Sequence, residues 1–388
     1  MRPISKPARL LFAALAAMMM SGCASPQASP DFFGDLASHP EFGTVISGVP
    51  DPLLRSSMAG HDALAAVLTF WKHPADPGVL AAALATDYRG REREEALMNL
   101  AGHKGMWTYA TYGNMAALQT RVTHGVPVIV ELVDDAQYAG RRRFALVVGY
   151  DEKEKRVLCH EGRGRPRVYD YVDFMVRWVP VRSWMLLVMP PSQPSWTMTP
   201  AELATRARFY ESRDQLDLAL NDLTAAMAAD PVNSRICVNA ANLHRKRGEP
   251  DKAEGLYRRA IDLNPHEGQA FNNLAYLIAE QGGNLLEAEN LAKQALLLEP
   301  TNPVMLDTLG FILHKQGRFD EAVAHLEQAS ARARFMPAPK QREIALHLVR
   351  GYLDAGRRDD AERVLRELQA TDPSLALPDD LQAILLQP

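Results

Sequence analysis

Three thiols, with the imidazoles and carboxylates beside them, are the groups with which this sequence could do covalent chemistry. Cys159, His160 and Glu161 are consecutive, and a cysteine nucleophile needs a base close by to take its proton. Neighbouring residues of a strand point to opposite faces, so Cys159 and His160 make a poor nucleophile–base pair. Cys159 reads instead as a small buried hydrophobe. His61 and Asp62 open a helical run, and with His160 or Glu161 they could form a polar or metal-binding cluster, although polar residues at a helix start more often cap it. His73, His103 and His124 lack ligand spacing. Cys23, Cys159 and Cys237 are the only cysteines, too few for a disulfide framework or a thiolate metal cluster. No metal and no cofactor is expected.

Two arginine clusters raise the question of nucleic acid. Arg89-Gly90-Arg91-Glu92-Arg93 is interleaved with glutamate and Arg141-Arg142-Arg143 is short, so both read as solvated loops. The chain has 388 residues, a formal charge of -4, 47% hydrophobic and 23% charged residues. That length predicts two or three domains with substantial cores, and the charge offers no general attraction to nucleic acid.

The N-terminus reads as an address. Arg2, Lys6 and Arg9 precede eleven apolar residues, Leu10 to Met20, and then Ser21-Gly22-Cys23-Ala24. A basic stretch, a short apolar run and small residues before a cleavage point make a secretory signal over 1–22, too short for a permanent span of about 20 residues. Removing its three cations takes the charge from -4 to about -7. Met20-Ser21-Gly22-Cys23 resembles a bacterial lipobox. The resemblance implies acylation of Cys23, anchoring to a membrane through that lipid, and, with Ala24 rather than Asp next, sorting to the outer membrane with the protein facing the periplasm. Residues 23–41, rich in Ser and Pro, read as a tether.

From about Thr199 to Pro373 one pattern returns at roughly 34 residues. Ala207, Tyr210, Ala219 and Pro231 reappear as Ala241, Ala253, Tyr257 and Pro265, then as Ala275, Ala288, Ala295 and Pro300. Leu309-Gly310 with Ala322, and Leu348 with Tyr352, Ala361 and Pro373, continue the series. Small residues let paired helices approach, large ones fill the gap, and proline stops the second helix. The pattern resembles five tetratricopeptide repeats over 199–373, with a cap over 374–388. The resemblance implies an all-α solenoid whose function is binding. Asn239 and Asn273 fall at inward positions where an amide can bond an extended peptide backbone, and Arg208, Asn242 and Arg245 lie on nearby inward positions.

Residues 42–192 mix helices with apolar β-rich runs at Val126–Val133, Phe144–Gly149 and Trp184–Met189. In that stretch Val49-Pro50 is followed by Leu54 and then Ala59-Gly60-His61 before the apolar helix from Ala63. Arg143 opens a strand ending in Gly149-Tyr150-Asp151, and Cys159-His160-Glu161-Gly162 follows the next strand. This order resembles the papain-like bacteriocin-processing (double-glycine leader) peptidases, and so implies an α+β papain-like domain. In that family Gln, Cys and His stand where this chain has Leu54, Ala59 and Arg143, and the orienting group falls at Glu161 or His160. Alanine has no nucleophilic atom, arginine does not deprotonate in proteins and leucine donates no hydrogen bond, so the resemblance implies an inactive domain and no enzyme.

The expectation is a membrane-anchored scaffold whose repeat groove binds an envelope protein or an extended peptide segment. Two rivals come from other classes: an active cysteine peptidase with a non-standard nucleophile, and an envelope chaperone for unfolded chains.

Overall fold

The computed structural model describes residues 43–50, 58–87, 93–133, 142–162, 166–372 and 381. The signal segment, Cys23, the tether, Leu54, Arg89, Arg91, Arg141 and the expected cap apart from Leu381 lie outside these residues. The chain divides into two units between Met198 and Thr199.

The first unit contains β1 (Gly43–Val45), α1 (Gly60–Phe70), α2 (Pro77–Asp87), α3 (Arg93–His103), β2 (Trp107–Tyr112), α4 (Met115–Thr123), β3 (Val128–Val133), β4 (Arg142–Asp151), β5 (Arg156–His160), β6 (Arg167–Asp170), α5 (Tyr171–Trp178) and β7 (Trp184–Met189). The strands form one sheet in the order β2-β7-β3-β4-β5-β6, with β1 also on β4, and every pairing is antiparallel. β3 and β7 are buried at every position. That is why their sequences read as unbroken apolar runs rather than as the alternation of a sheet with one wet face. In α1 the small residues Ala63, Ala65 and Ala66 are buried together with Leu64, Val67 and Leu68. Gly60 is dictated by packing, since a Cβ there would stand 2.9 Å from the Leu97 side chain and 3.1 Å from the Phe144 ring.

One expectation fails here. Arg142 and Arg143 are not in a loop but begin β4, where Arg142 stays exposed and Arg143 is buried. A glutamate just after β5 makes the burial possible, since Glu161 meets Arg143 at 3.0 Å, while Glu131 on β3 meets Arg142 at 3.3 Å. Pairing is what allows a guanidinium to leave water.

The second unit is all-helical. Its described helices make five helix–turn–helix pairs: α6 (Pro200–Glu211) with α7 (Leu216–Ala229), α8 (Ser234–Lys246) with α9 (Pro250–Leu263), α10 (Gly268–Glu280) with α11 (Leu285–Leu298), α12 (Pro303–Lys315) with α13 (Phe319–Arg332), and α14 (Ala338–Asp354) with α15 (Arg358–Thr371). Thr199 and Glu202 cap α6 reciprocally, and Asn233, Asn284 and Asn302 accept backbone N–H bonds at the starts of α8, α11 and α12. Gly248, Gly317 and Gly356 leave α8, α12 and α14 at φ of 73°, 77° and 73°, a conformation that favours glycine. Ala241, Ala253, Ala260, Ala275, Ala288, Ala292 and Ala322 are all buried completely. Their lack of bulk brings the helices close, and Tyr257, Leu274 and Leu326 fill what remains. Full burial of one such leucine contributes roughly 1.5–3 kcal/mol. Among the described residues no helix is long and apolar enough to cross a membrane.

Candidate functional site

In the first unit, the segment before α1 is bonded to β4, the strand whose Arg143 pairs with Glu161. Ala59 is the N-cap, extended at φ -86° and ψ 164°. Its N–H donates to the Asp62 carboxylate at 3.1 Å, so Asp62 serves as a cap. The Phe144 N–H donates to the Met58 carbonyl at 3.3 Å, which holds the segment before α1 against β4 beside Arg143. The Arg143 guanidinium donates to Glu161 at 3.0 Å and to the Tyr169 hydroxyl at 2.7 Å, and Tyr169 in turn bonds Glu161. Arg167 adds a second positive charge 3.7 Å from Glu161 and lies over the Tyr169 ring.

The Tyr169 hydroxyl is pushed well above its ordinary value, first by burial and then by the Glu161 charge. Cys159 is fully buried on β5, and burial followed by the Glu161 charge raises its thiol as well, so it is held as the unreactive thiol. Among the described residues no group of three or more His, Cys, Asp or Glu side chains could hold a metal ion. The polar cluster envisaged from His61, Asp62, His160 and Glu161 is divided otherwise, since Asp62 caps α1 and Glu161 holds Arg143. Tyr169, the third member of the buried group, was not found from sequence. It sits on the short strand β6, whose four residues Arg167–Asp170 carry too weak a pattern to announce a strand.

In the second unit the first helices of successive pairs touch, α8 with α10, α10 with α12 and α12 with α14. Asn239, Asn242, Asn273 and Arg245 all lie on this row. The Asn273 amide donates to Asn242 Oδ1 at 3.0 Å, and the same oxygen accepts from the Tyr257 hydroxyl at 2.5 Å. Asn272 donates to Asn273 Oδ1 at 3.2 Å. Asn273 and Asn242 are thus partly engaged in joining α8 to α10. Asn239 is half-buried and, among the described residues, makes no side-chain hydrogen bond. Its amide keeps its full bonding capacity. Arg245 lies 3.6 Å from Glu280 and 5.6 Å from the centre of the Tyr276 ring. Arg208, on α6, is exposed and, among the described residues, its side chain bonds only Thr205, at 3.5 Å.

The row continues through residues that the sequence reading passed over. Tyr276 stacks on Phe311 with ring centres 5.1 Å apart and planes 26° apart, and Phe311 meets His347 at 5.2 Å and 30°. Arg245, Tyr276, Phe311 and His347 thereby form one chain of cation and ring contacts across α8, α10, α12 and α14. A recess of about 100 Å³ opens beside Arg245, Asn273 and Tyr276, and a cavity of about 550 Å³ beside Phe311, Phe319 and His347. The signal was present, because Tyr276 and Phe311 each follow the small residue, Ala275 or Gly310, that lets the helix pair close.

Comparison with known proteins agrees with the helical unit. A tetratricopeptide-repeat family model matches residues 277–338 and again 313–385, and a second tetratricopeptide-repeat model matches 236–271. A TPR repeat-containing protein of Pseudomonas aeruginosa is 28% identical over 142 residues, which is 37% of this chain and 23% of that protein. The photosystem I assembly protein of Cyanophora paradoxa is 39% identical over 77 residues, 16% of this chain and 44% of that one. The chain thus spans less than half the length of these relatives. Among solved structures, the type IV pilus biogenesis factor PilW gives a TM-score of 0.43 at 21% identity over 48% of this chain and 82% of that one. A thermophilic TPR protein of Thermus thermophilus gives 0.41 at 20% identity over 49% and 100%. By its family models, this chain is a tetratricopeptide-repeat-containing protein.

Proposed function

We propose that this chain is an exported lipoprotein, anchored through Cys23 to the outer membrane and facing the periplasm. Its repeats hold an envelope protein by an extended segment, and its first unit is a papain-like peptidase domain that has lost its chemistry. The scaffold reading is carried by one observation, the uncommitted Asn239 amide at the head of a row of amides and rings on consecutive first helices. An extended backbone has unpaired N–H and C=O groups, and a side-chain amide can serve both.

The loss of catalysis is supported by what stands around α1. Ala59, Arg143 and Glu161 fall at the helix start, at a strand start and after the next strand, which is the order that nucleophile, base and orienting group have in the peptidases this unit resembles. Here the first has no reactive atom and the second is a cation locked to the third. Hydrolysis through an acyl intermediate needs both a nucleophile and a base, so this domain serves as a structural or peptide-binding module.

Three measurements test the reading. Radiolabelled palmitate should enter the protein in cells and be lost with Cys23→Ser. A photo-crosslinking residue in place of Gln269, on the exposed start of α10, should capture one envelope protein, and Asn239→Ala should reduce that capture. Purified mature protein should cut no peptide. Cleavage that survives Cys159→Ser would end the inactive-domain account, and capture unaffected by Asn239→Ala would remove the groove assignment.

A further inference from the structure

The cavity beside α12 and α14 has a composition that the family likeness does not specify. Its walls include Phe311, Phe319 and Leu326, and Lys315, Arg350 and Asp354 line the same space. Among the described residues neither cation has a carboxylate within salt-bridge distance, and the one contact of Lys315 is with the Phe311 ring, at 5.3 Å. The nearby acids are already engaged: Asp354 bonds His314 at 2.6 Å and Asp307 bonds His347 at 2.8 Å. By contrast the turn arginines Arg247, Arg318 and Arg357 each hold a carboxylate of the preceding repeat. The whole chain carries a net charge of -4, so two cations beside one carboxylate that is already bonded to His314, at one cavity with aromatic walls, are a local feature rather than an overflow of basic residues.

We infer that this cavity receives an internal acidic–aromatic segment of the partner, one ring entering against Phe311 and Phe319 while flanking Asp or Glu side chains pair with Lys315 and Arg350. The volume of about 550 Å³ accommodates an aromatic side chain with room for its neighbours. An aromatic group supplies the apolar area that binding needs, and the carboxylates fix its direction and exclude basic segments through charge complementarity. The stack from Phe311 to Tyr276 leads the same segment towards Asn273 and Asn239. This rests on the scaffold reading and specifies the chemistry of the partner.

The test uses the full mature chain and fluorescent peptides blocked at both ends, so that a terminal carboxylate cannot contribute. One probe carries Glu and Asp on both sides of a central Phe. Three controls replace the Phe by Ala, the acids by Gln, or the acids by Lys. The acidic–aromatic probe should saturate in fluorescence anisotropy, and each control should bind at least about tenfold more weakly, about 1.4 kcal/mol. Added salt should weaken the acidic probe most. Lys315→Glu and Arg350→Glu, both at exposed positions, should each reduce its affinity by about tenfold or more with unchanged far-ultraviolet circular dichroism. Absence of binding up to about 1 mM, equal binding of the Lys probe, or affinity indifferent to both charge reversals overturns the inference. Crosslinked capture that falls with Asn239→Ala but not with Arg350→Glu overturns it while leaving the scaffold intact, and capture that falls with neither overturns both.

Discussion

Arg143 and Glu161 meet at 3.0 Å with 6% and 1% of their side chains exposed, one near the start of β4 and the other just after β5. The pair holds together three β-segments, because Tyr169 on β6 bonds both partners. An ion pair of this kind stabilises little relative to an apolar replacement, since desolvation offsets much of the attraction, but losing one member strands the other in the interior. It follows that the arginine is demanded by the glutamate, and the glutamate by the arginine, with no catalytic reason needed for either.

The first prediction comes from that asymmetry. Arg143→Met should destabilise the first unit by about 3–5 kcal/mol, and adding Glu161→Leu to it should recover a large part of the loss. All five tryptophans, Trp71, Trp107, Trp178, Trp184 and Trp196, precede residue 199, so tryptophan fluorescence during urea unfolding follows this unit separately. A double variant no more stable than Arg143→Met would show that the pair is not the source of the effect.

A second prediction separates two asparagines that looked equivalent. Asn273→Ala removes the bonds to Asn242 and from Asn272, and should lower the stability of the helical unit by about 1–2 kcal/mol. Asn239→Ala removes no side-chain bond and should stay within about 0.5 kcal/mol of the parent. Ellipticity at 222 nm during thermal unfolding measures both. If Asn239→Ala is the more destabilising change, its amide is structurally engaged and cannot be the free contact assigned to it.

These asparagines show what could be read in advance. Alanine and proline at a fixed period specify helix pairs, because close approach and termination depend on residue type alone. The same period places Asn239 and Asn273 on one face but cannot say that Asn242 takes up the amide of Asn273 and not that of Asn239. Tyr276, Phe311 and His347 were missed for a related reason: periodicity selects what is buried, and these rings are only half-buried, meeting across helices rather than along one. In the first unit β3 and β7 were legible as unbroken apolar runs, whereas β2, with its Thr-Tyr-Ala-Thr-Tyr and mostly half-exposed residues, offered no such contrast. Arg143 was placed correctly as a position and wrongly as an environment, because its cluster gave no hint of the glutamates on neighbouring segments.

Acid should loosen the repeats at Glu289. Its carboxyl is lowered to about 2, first by the Lys293 ammonium at 2.7 Å and then by bonds from Gln316 and Arg318 at 2.9 Å each. A folded-state value below the ordinary 4.5 means that the stabilisation is complete above 4.5 and is lost as pH falls towards 2. Glu289→Gln keeps the shape and discards the charge. Its melting temperature should lie below that of the parent at pH 7, and the gap should close as pH falls from 4.5 towards 2. A gap that stays constant over that range would assign the effect to packing.

Two glycines in the helices of the repeats should respond to alanine with opposite signs. Gly310 lies in α12, where a Cβ would stand 2.6 Å from Leu326 Cγ and 3.2 Å from the Ala322 carbonyl oxygen. Leu326 is fully buried and the Ala322 oxygen belongs to the backbone of α13, so Gly310→Ala should force α12 and α13 apart and destabilise the unit by about 1–3 kcal/mol, as overpacking does. Gly255 lies in the interior of α9, and an added Cβ there meets nothing within 4 Å. The methyl restricts the unfolded chain at no steric cost, so Gly255→Ala should stabilise by about 0.5–1 kcal/mol. Melting followed at 222 nm should move down for Gly310→Ala and up for Gly255→Ala by a few degrees each, since about 1 kcal/mol shifts a unit of this size by roughly 2–4 °C. A rise for Gly310→Ala would mean that the repeats close less tightly at α12 than the Leu326 contact requires.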